Sequence, residues 1–140
     1  MANRPAPPHA QIVGWGKYAP ARVLGNDELA RMVETSDEWI RSRTGIHERR
    51  IADAKEATST LALRAAQQAL AVADLNPRQI DLVIVATITP DYPFPSVACQ
   101  VQDALGIPRA AAFDLSAGCT GFIYALGVAS RLIASGAHRT

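Results

Sequence analysis

Hydrophobic and polar positions alternate along the chain in two rhythms, and the switches between them predict a series of strands and helices. Ile12-Val13-Gly14-Trp15-Gly16 reads as a first strand, followed by a turn at Pro20. A helix capped at Asn26, with Asp27 and Glu28 in its first turn, carries Leu29, Met32 and Val33 as its apolar stripe. A second short helix opens at Thr35, where Thr35-Ser36-Asp37-Glu38 reads as a capping box; it carries Trp39 and Ile40 inward and stops at Gly45. Ile46 to Ile51 reads as extended. From Thr58 to Leu75 runs an alanine-rich helix with Leu61, Ala65, Ala69 and Ala73 along one ridge and Leu70 beside it, ended by Asn76-Pro77.

Leu82-Val83-Ile84-Val85-Ala86 is an unbroken, β-branched apolar run, the pattern of a strand covered on both faces in a parallel sheet. A proline-rich loop, Pro90-Asp91-Tyr92-Pro93-Phe94-Pro95, leads to a helix capped by Ser96 and running through Leu105, which Gly106 and Pro108 end. Ala111 to Leu115 supply another inner strand, and a last helix opens at Thr120-Gly121-Phe122 and runs to Ser135-Gly136. Repeated βα units of this kind imply an α/β sheet with helices on its faces, in which ligands gather beyond the carboxyl ends of the strands.

Composition narrows the class. The chain has 140 residues, 49% hydrophobic and 19% charged, which is ordinary core-forming material for one domain. Fourteen basic against 13 acidic residues argue against a nucleic-acid surface. The proline-rich start, Arg4-Pro5-Ala6-Pro7-Pro8, has no apolar core of a signal peptide, so residues 1–10 are expected to form a mobile leader and residues 11–140 the folded part. No run approaches the roughly 20 apolar residues a membrane span requires. A cytoplasmic location with both cysteines free is expected, with no metal site.

Cys119 is the residue with chemistry to offer. It lies where the strand Ala112-Phe113-Asp114-Leu115 gives way through Ser116-Ala117-Gly118 to a helix. The first N–H groups of a helix lack intrahelical partners and carry partial positive charge, which favours a thiolate. Gly118 and Gly121 permit a tight turn and leave room for a carbonyl to approach. The competing reading is a small buried hydrophobe. Cys99, inside the apolar helix Val97-Ala98-Cys99, has no helix mouth or base beside it and reads as packing.

Taken in order and spacing, Thr35-Ser36-Asp37-Glu38-Trp39-Ile40 with Arg43-Thr44-Gly45-Ile46, then Thr89-Pro90-Asp91, then Ala117-Gly118-Cys119-Thr120-Gly121-Phe122, resemble the first half of a β-ketoacyl-acyl-carrier-protein synthase III, a family of thiolase-like condensing enzymes. The resemblance runs from Ile12 to the end. It implies a thiolase-like α/β fold of layered helices and mostly parallel sheet, with only the N-terminal half of the duplicated αβαβα architecture present. It also implies an acyltransferase of fatty acid synthesis. Cys119 takes an acyl group, typically acetyl, from coenzyme A; malonyl-acyl-carrier-protein then loses carbon dioxide and condenses with it.

Covalent catalysis suits two bulky carriers that share one site in turn. The backbone N–H of Cys119 is the natural local contributor to an oxyanion hole. On the same resemblance Trp39 stacks on the adenine of coenzyme A, Arg43 closes the other side and Thr35 is a polar contact to the nucleotide. Phe94 reaches across a homodimer to wall the partner's acyl pocket. Acyl-CoA is a substrate, so no cofactor is expected. Read from the residues alone, Trp39 is equally a core aromatic, Thr35 a cap, Arg43 a favourable charge at a helix end, and Phe94 an aromatic folded on its own core.

The family pattern also uses a histidine and an asparagine from its second half, which these 140 residues do not contain. His9 falls in the leader, and His47 follows Arg43-Thr44-Gly45-Ile46, where a channel or surface role fits better than a general base. His138 ends the helix that Cys119 begins, roughly 28 Å away at the helical rise. The chain is therefore read as truncated and inactive alone. Three alternatives share its features: a hydroxymethylglutaryl-CoA or polyketide starter synthase; a thiol hydrolase, since Ala117-Gly118-Cys119-Thr120-Gly121 also fits a nucleophile elbow; and a non-catalytic coenzyme A-binding half-domain.

Overall fold

Alternate glycines at 14 and 16 and alanines at 65, 69 and 73 meet in the computed structural model, which describes residues 9–140. The chain divides into two units, one of residues up to Tyr18 with Thr58–Thr140 and one of Ala19–Ala57. Residues 1–8 of the expected leader lie outside the described part.

In the smaller unit, β1 (Arg22–Gly25) pairs antiparallel with β2 (Glu48–Ile51), Arg22 opposite Ile51 and Gly25 opposite Glu48. Between them lie α1 (Asn26–Leu29) and α2 (Asp37–Thr44). The strand β1 falls where the sequence showed only a turn, because its partner lies more than twenty residues away. The helix expected from Asn26 through Val33 is one turn long, and Met32 and Val33 stay 60% and 54% exposed. Gly25, not Asn26, occupies its cap position, and the buried Asn26 side chain bonds elsewhere. On α2 the cap is Ser36, one residue later than expected: its hydroxyl accepts the Trp39 N–H at 3.1 Å. The stop is as expected, with Gly45 at φ 70°, the left-handed conformation glycine adopts without strain.

The larger unit holds α3 (Thr58–Ala73), β3 (Leu82–Ala86), α4 (Val97–Ala104), β4 (Ala111–Leu115) and α5 (Gly121–Ala134). The α3 helix ends two residues before Leu75. Beyond it, Asn76 and Gln79 form a reciprocal capping box around a 3₁₀ turn at Pro77–Gln79, which explains the stop at Asn76-Pro77. Strands β3 and β4 are parallel, with Leu82 opposite Ala111 and Ala86 opposite Leu115. Helix α5 lines one face with Leu82, Ile84 and Ala86. The other face, that of Val83 and Val85, receives α4, whose Val97, Ala98 and Val101 are buried and form the core with Ile107. The expectation of helices on both faces of a parallel pair is met.

Ile12–Gly16 is not a strand; among the described residues no strand pairs with it. Its two-residue rhythm has another cause. Gly14 and Gly16 lie on the α3 backbone, so that a Cβ at Gly16 would stand 2.7 Å from the Ala69 nitrogen and one at Gly14 2.8 Å from the Ala73 Cβ. Val13 and Trp15, between and beside them, remain 58% and 67% exposed. The alanine ridge read from the sequence is thus the seat of an extended backbone. No helix among the described residues is long and apolar enough to cross a membrane.

Candidate active site

The strand-to-helix turn is built by residues that cannot be exchanged freely. After Leu115 ends β4, Ala117 leaves the extended region and Gly118 takes φ 55°. A 3₁₀ turn over Gly118–Thr120 follows, closed by the Gly121 N–H on the Gly118 carbonyl and by the Thr120 hydroxyl donating to the Ala117 carbonyl at 2.9 Å. Gly121, the first residue of α5, is buried, and a Cβ there would meet the Ala86 Cβ at 3.4 Å. Glycine at 121 therefore lets the helix begin directly on the carboxyl ends of β3 and β4.

Cys119 stands in the middle of this turn and is exposed. Among the described residues nothing packs over its thiol as the competing reading of a small buried hydrophobe would have it. Helix α5 opens at Gly121, within the expected Thr120-Gly121-Phe122, and Cys119 lies two residues before it in the 3₁₀ turn. Cys99 behaves as read: it is half-buried, its sulfur directed at the Ala112 carbonyl at 3.8 Å.

Around the thiol's end of the sheet, loops are tied down by carboxylates. Asp91, from Thr89-Pro90-Asp91, accepts the Ser59 N–H at 3.0 Å, and the Thr58 hydroxyl donates to the Thr89 carbonyl at 2.6 Å. This motif thus caps α3 from a distance. Asp114, inside β4, accepts the first N–H groups of α4, from Val97 and Ala98, both at 2.8 Å, while Ser96 accepts that of Cys99 at 3.2 Å. Sequence reasoning passed over Asp114; its signal was a lone carboxylate in an otherwise apolar strand, a position that demands donors.

Phe94 is 87% exposed on the loop before α4 and does not fold onto the core that the described residues form. His138 lies beyond α5 and faces Asp81 at 3.4 Å. An apolar groove of about 250 Å³ runs between β3 and α5 past Phe122, and Cys119 is not in its lining.

In the smaller unit, Thr35 and Trp39 line one concavity of about 260 Å³ with Glu34 and Ser36. Trp39 is 57% exposed, contrary to its expected inward position. Adjacent helix positions point about 100° apart, and it is Ile40, at 6% exposure, that takes the inward one. Arg43, one turn on, places its guanidinium 6.0 Å from the Trp39 ring centre, at the limit of a cation–π contact. Among the described residues Arg43 enters no ion pair, whereas Arg41 pairs with Asp37 at 3.4 Å. An exposed aromatic face, an uncommitted guanidinium and a hydroxyl are suited to a planar base bearing phosphates.

The model of the family described as 3-oxoacyl-[acyl-carrier-protein (ACP)] synthase III matches residues 113–140, the segment that contains the Cys119 turn. A beta-ketoacyl-[acyl-carrier-protein] synthase III of Roseiflexus sp. (strain RS-1) is 56% identical over 99% of this chain and 41% of its own length. This chain belongs to the β-ketoacyl-[acyl-carrier-protein] synthase III family. Among solved structures of this kind, the 3-oxoacyl-[acyl-carrier-protein] synthase III of Aquifex aeolicus VF5 superposes with a TM-score of 0.88 at 52% identity, covering 90% of this chain and 41% of that one. The priming beta-ketosynthase of the R1128 polyketide biosynthetic pathway superposes at 0.90 with 36% identity, over 98% of this chain and 42% of that one. The chain spans about two-fifths of the length of the synthase III relatives it matches. The thiolase-like fold class expected from the sequence is the fold of these neighbours.

Proposed function

We propose that the protein carrying this chain is an acyltransferase that condenses an acyl-CoA, acetyl-CoA first among them, with malonyl-acyl-carrier-protein to begin fatty acid synthesis. The observation that carries the proposal is the exposed Cys119 thiol on the tight turn beyond the ends of β3 and β4, in a chain 56% identical to a named synthase III. The Cys119 thiolate attacks the thioester carbonyl of the acyl-CoA. The tetrahedral intermediate collapses, coenzyme A leaves as a thiolate that takes up a proton, and the acyl group stays on sulfur. Malonyl-acyl-carrier-protein then loses carbon dioxide; the carbanion attacks the acyl-cysteine and expels the Cys119 thiolate. Each half-reaction exchanges one thioester carrier for the next, so ping-pong kinetics follow.

In this reading Trp39 stacks on the adenine, Arg43 swings from beside the ring to its far side and also meets phosphate, and Thr35 hydrogen-bonds the nucleotide. The exposed Phe94 lines the partner's acyl pocket in a homodimer, and the enzyme works in the cytoplasm without a cofactor. The likeness to a priming polyketide ketosynthase supports a second reading, in which the same cysteine accepts a different starter acyl group.

The experiment is intact-mass analysis of the full-length protein after incubation with acetyl-CoA. One acetyl group on the peptide containing Cys119, absent in Cys119→Ser, is expected. Stable acylation of another residue in Cys119→Ser would overturn the assignment, and release of free acetate without condensed product would point to a hydrolase. A panel of acyl-CoA donors separates the two condensing readings by which acyl group is retained.

A further inference from the structure

Asn26 is the one buried polar side chain among the described residues, 3% exposed, and its hydrogen bonds leave its own helix altogether. Its amide nitrogen donates to the Asp37 carboxylate and to the Ile46 carbonyl, each at 2.8 Å, and its oxygen accepts from the Arg49 guanidinium at 2.7 Å. The partners dictate the orientation of the amide. A carboxylate and a carbonyl only accept, a guanidinium only donates, and of the short side chains only asparagine offers two donors and an acceptor from one planar group.

What these bonds hold is α2. Asp37 is its first residue and Ile46 the residue after its Gly45 stop, so one amide grips the helix at both ends. At eight residues α2 is shorter than the roughly 12 to 15 that an isolated helix needs, and it buries only Ile40. Its other side-chain ties are local: Ser36 to Trp39, Thr44 to Ile40, Ser42 to Trp39 and Arg41 to Asp37. Trp39 and Arg43 lie between the two points that Asn26 holds.

We infer that Asn26 is a positioning residue for the nucleotide-binding face of α2, setting through Asp37 and Ile46 where Trp39 and Arg43 stand. The inference rests on the reading of those two residues as coenzyme A contacts. Replacing Asn26 by aspartate keeps the acceptor for Arg49 but turns the donor into a second acceptor facing Asp37 and Ile46. Adding Asp37→Asn restores a donor across the first of these contacts.

The test uses the full-length protein, with coenzyme A binding by calorimetry, KM and kcat for acetyl-CoA, and thermal melting. Asn26→Asp is expected to raise the Kd and KM by about tenfold while kcat at saturation holds, and the double variant Asn26→Asp/Asp37→Asn to recover at least about half of that loss on a logarithmic scale. A lowered melting temperature with Kd unchanged in the folded protein would reduce Asn26 to a structural role and overturn the inference. Should Asn26→Asp fail to fold, the more exposed Asp37→Ala carries the test: a Kd raised about threefold supports it and an unchanged one overturns it. If Trp39→Ala weakens coenzyme A binding but the Asn26 and Asp37 variants do not, this inference alone falls. If Trp39→Ala also leaves binding unchanged, the coenzyme A reading fails and takes the inference with it.

Discussion

Asp114 accepts the backbone N–H of Ala98 at 2.8 Å, across from the strand it sits in to the first turn of the helix packed above it. With the companion bond from Val97, the carboxylate satisfies two donors at a helix end where negative charge is favoured. It does so beneath the buried residues Val97 and Ala98, where unpaired N–H groups would have no water to turn to.

Replacing this carboxylate leaves those donors unpaired. Asp114→Ala is expected to destabilise the fold by about 2 kcal/mol, and Asp114→Asn by about 1 kcal/mol because one acceptor oxygen remains. The denaturation midpoint should fall at an unchanged m-value; a midpoint equal to that of the parent for both variants would show that the cap carries no stability.

The seat of Ile12–Gly16 on α3 tolerates no side chain at its glycines. Gly16→Ala would push a Cβ to within 2.7 Å of the Ala69 nitrogen, a backbone atom that cannot swing aside. A loss of about 2 kcal/mol or more follows from such overpacking. Gly25→Ala is the control for crowding, since nothing lies within 4 Å of its Cβ position, and it should lose only the preference for glycine at the α1 cap, about 1 kcal/mol or less. Equal melting of the two variants would contradict the close approach.

Stability in acid should depend on Asp37. The hydrogen bond from Asn26 above all, then the hydrogen bond and charge of Arg41 and the charge of His47, hold its carboxyl below the ordinary carboxylate value against an opposing effect of partial burial. A carboxyl whose folded pKa is lowered contributes its stability above its unfolded pKa, about 3.9, and loses it as pH falls through the lower folded value. Asp37→Asn keeps an oxygen for Asn26 but cannot titrate. The parent should therefore melt higher than Asp37→Asn near neutrality, with the gap closing as pH drops below about 4. A gap that is constant across this range would count against the shift.

Gly118 shapes the turn that presents the thiol. Its φ of 55° lies in the left-handed region, and nothing surrounds its Cβ position, so Gly118→Ala is penalised by backbone conformation and not by crowding. A cost of about 1 to 2 kcal/mol is expected. On the proposed acyl-cysteine chemistry, the strained turn displaces the thiol, and release of coenzyme A from acetyl-CoA, followed by stopped flow, should slow by more than the melting shift accounts for; an unchanged rate would show that Gly118 does not set the position of the thiol.

What the amino-acid sequence determined by itself is what neighbouring residues decide among themselves. The apolar runs of β3 and β4, the Ser96 cap, the Gly45 stop and the strand–turn–helix placement of Cys119 depend on a few adjacent residues, and all were legible there. The tertiary structure decided the rest, because each remaining feature needs a partner distant in the chain. The Asn26 amide finds Asp37, Ile46 and Arg49 instead of its own helix, and Gly14 and Gly16 find α3 instead of a strand. Asp114 becomes a cap for a helix begun seventeen residues earlier, and Trp39 faces outward because Ile40 takes the inward position. A polar group left without water must find its donors or acceptors wherever the fold brings them, and only the folded chain brings them.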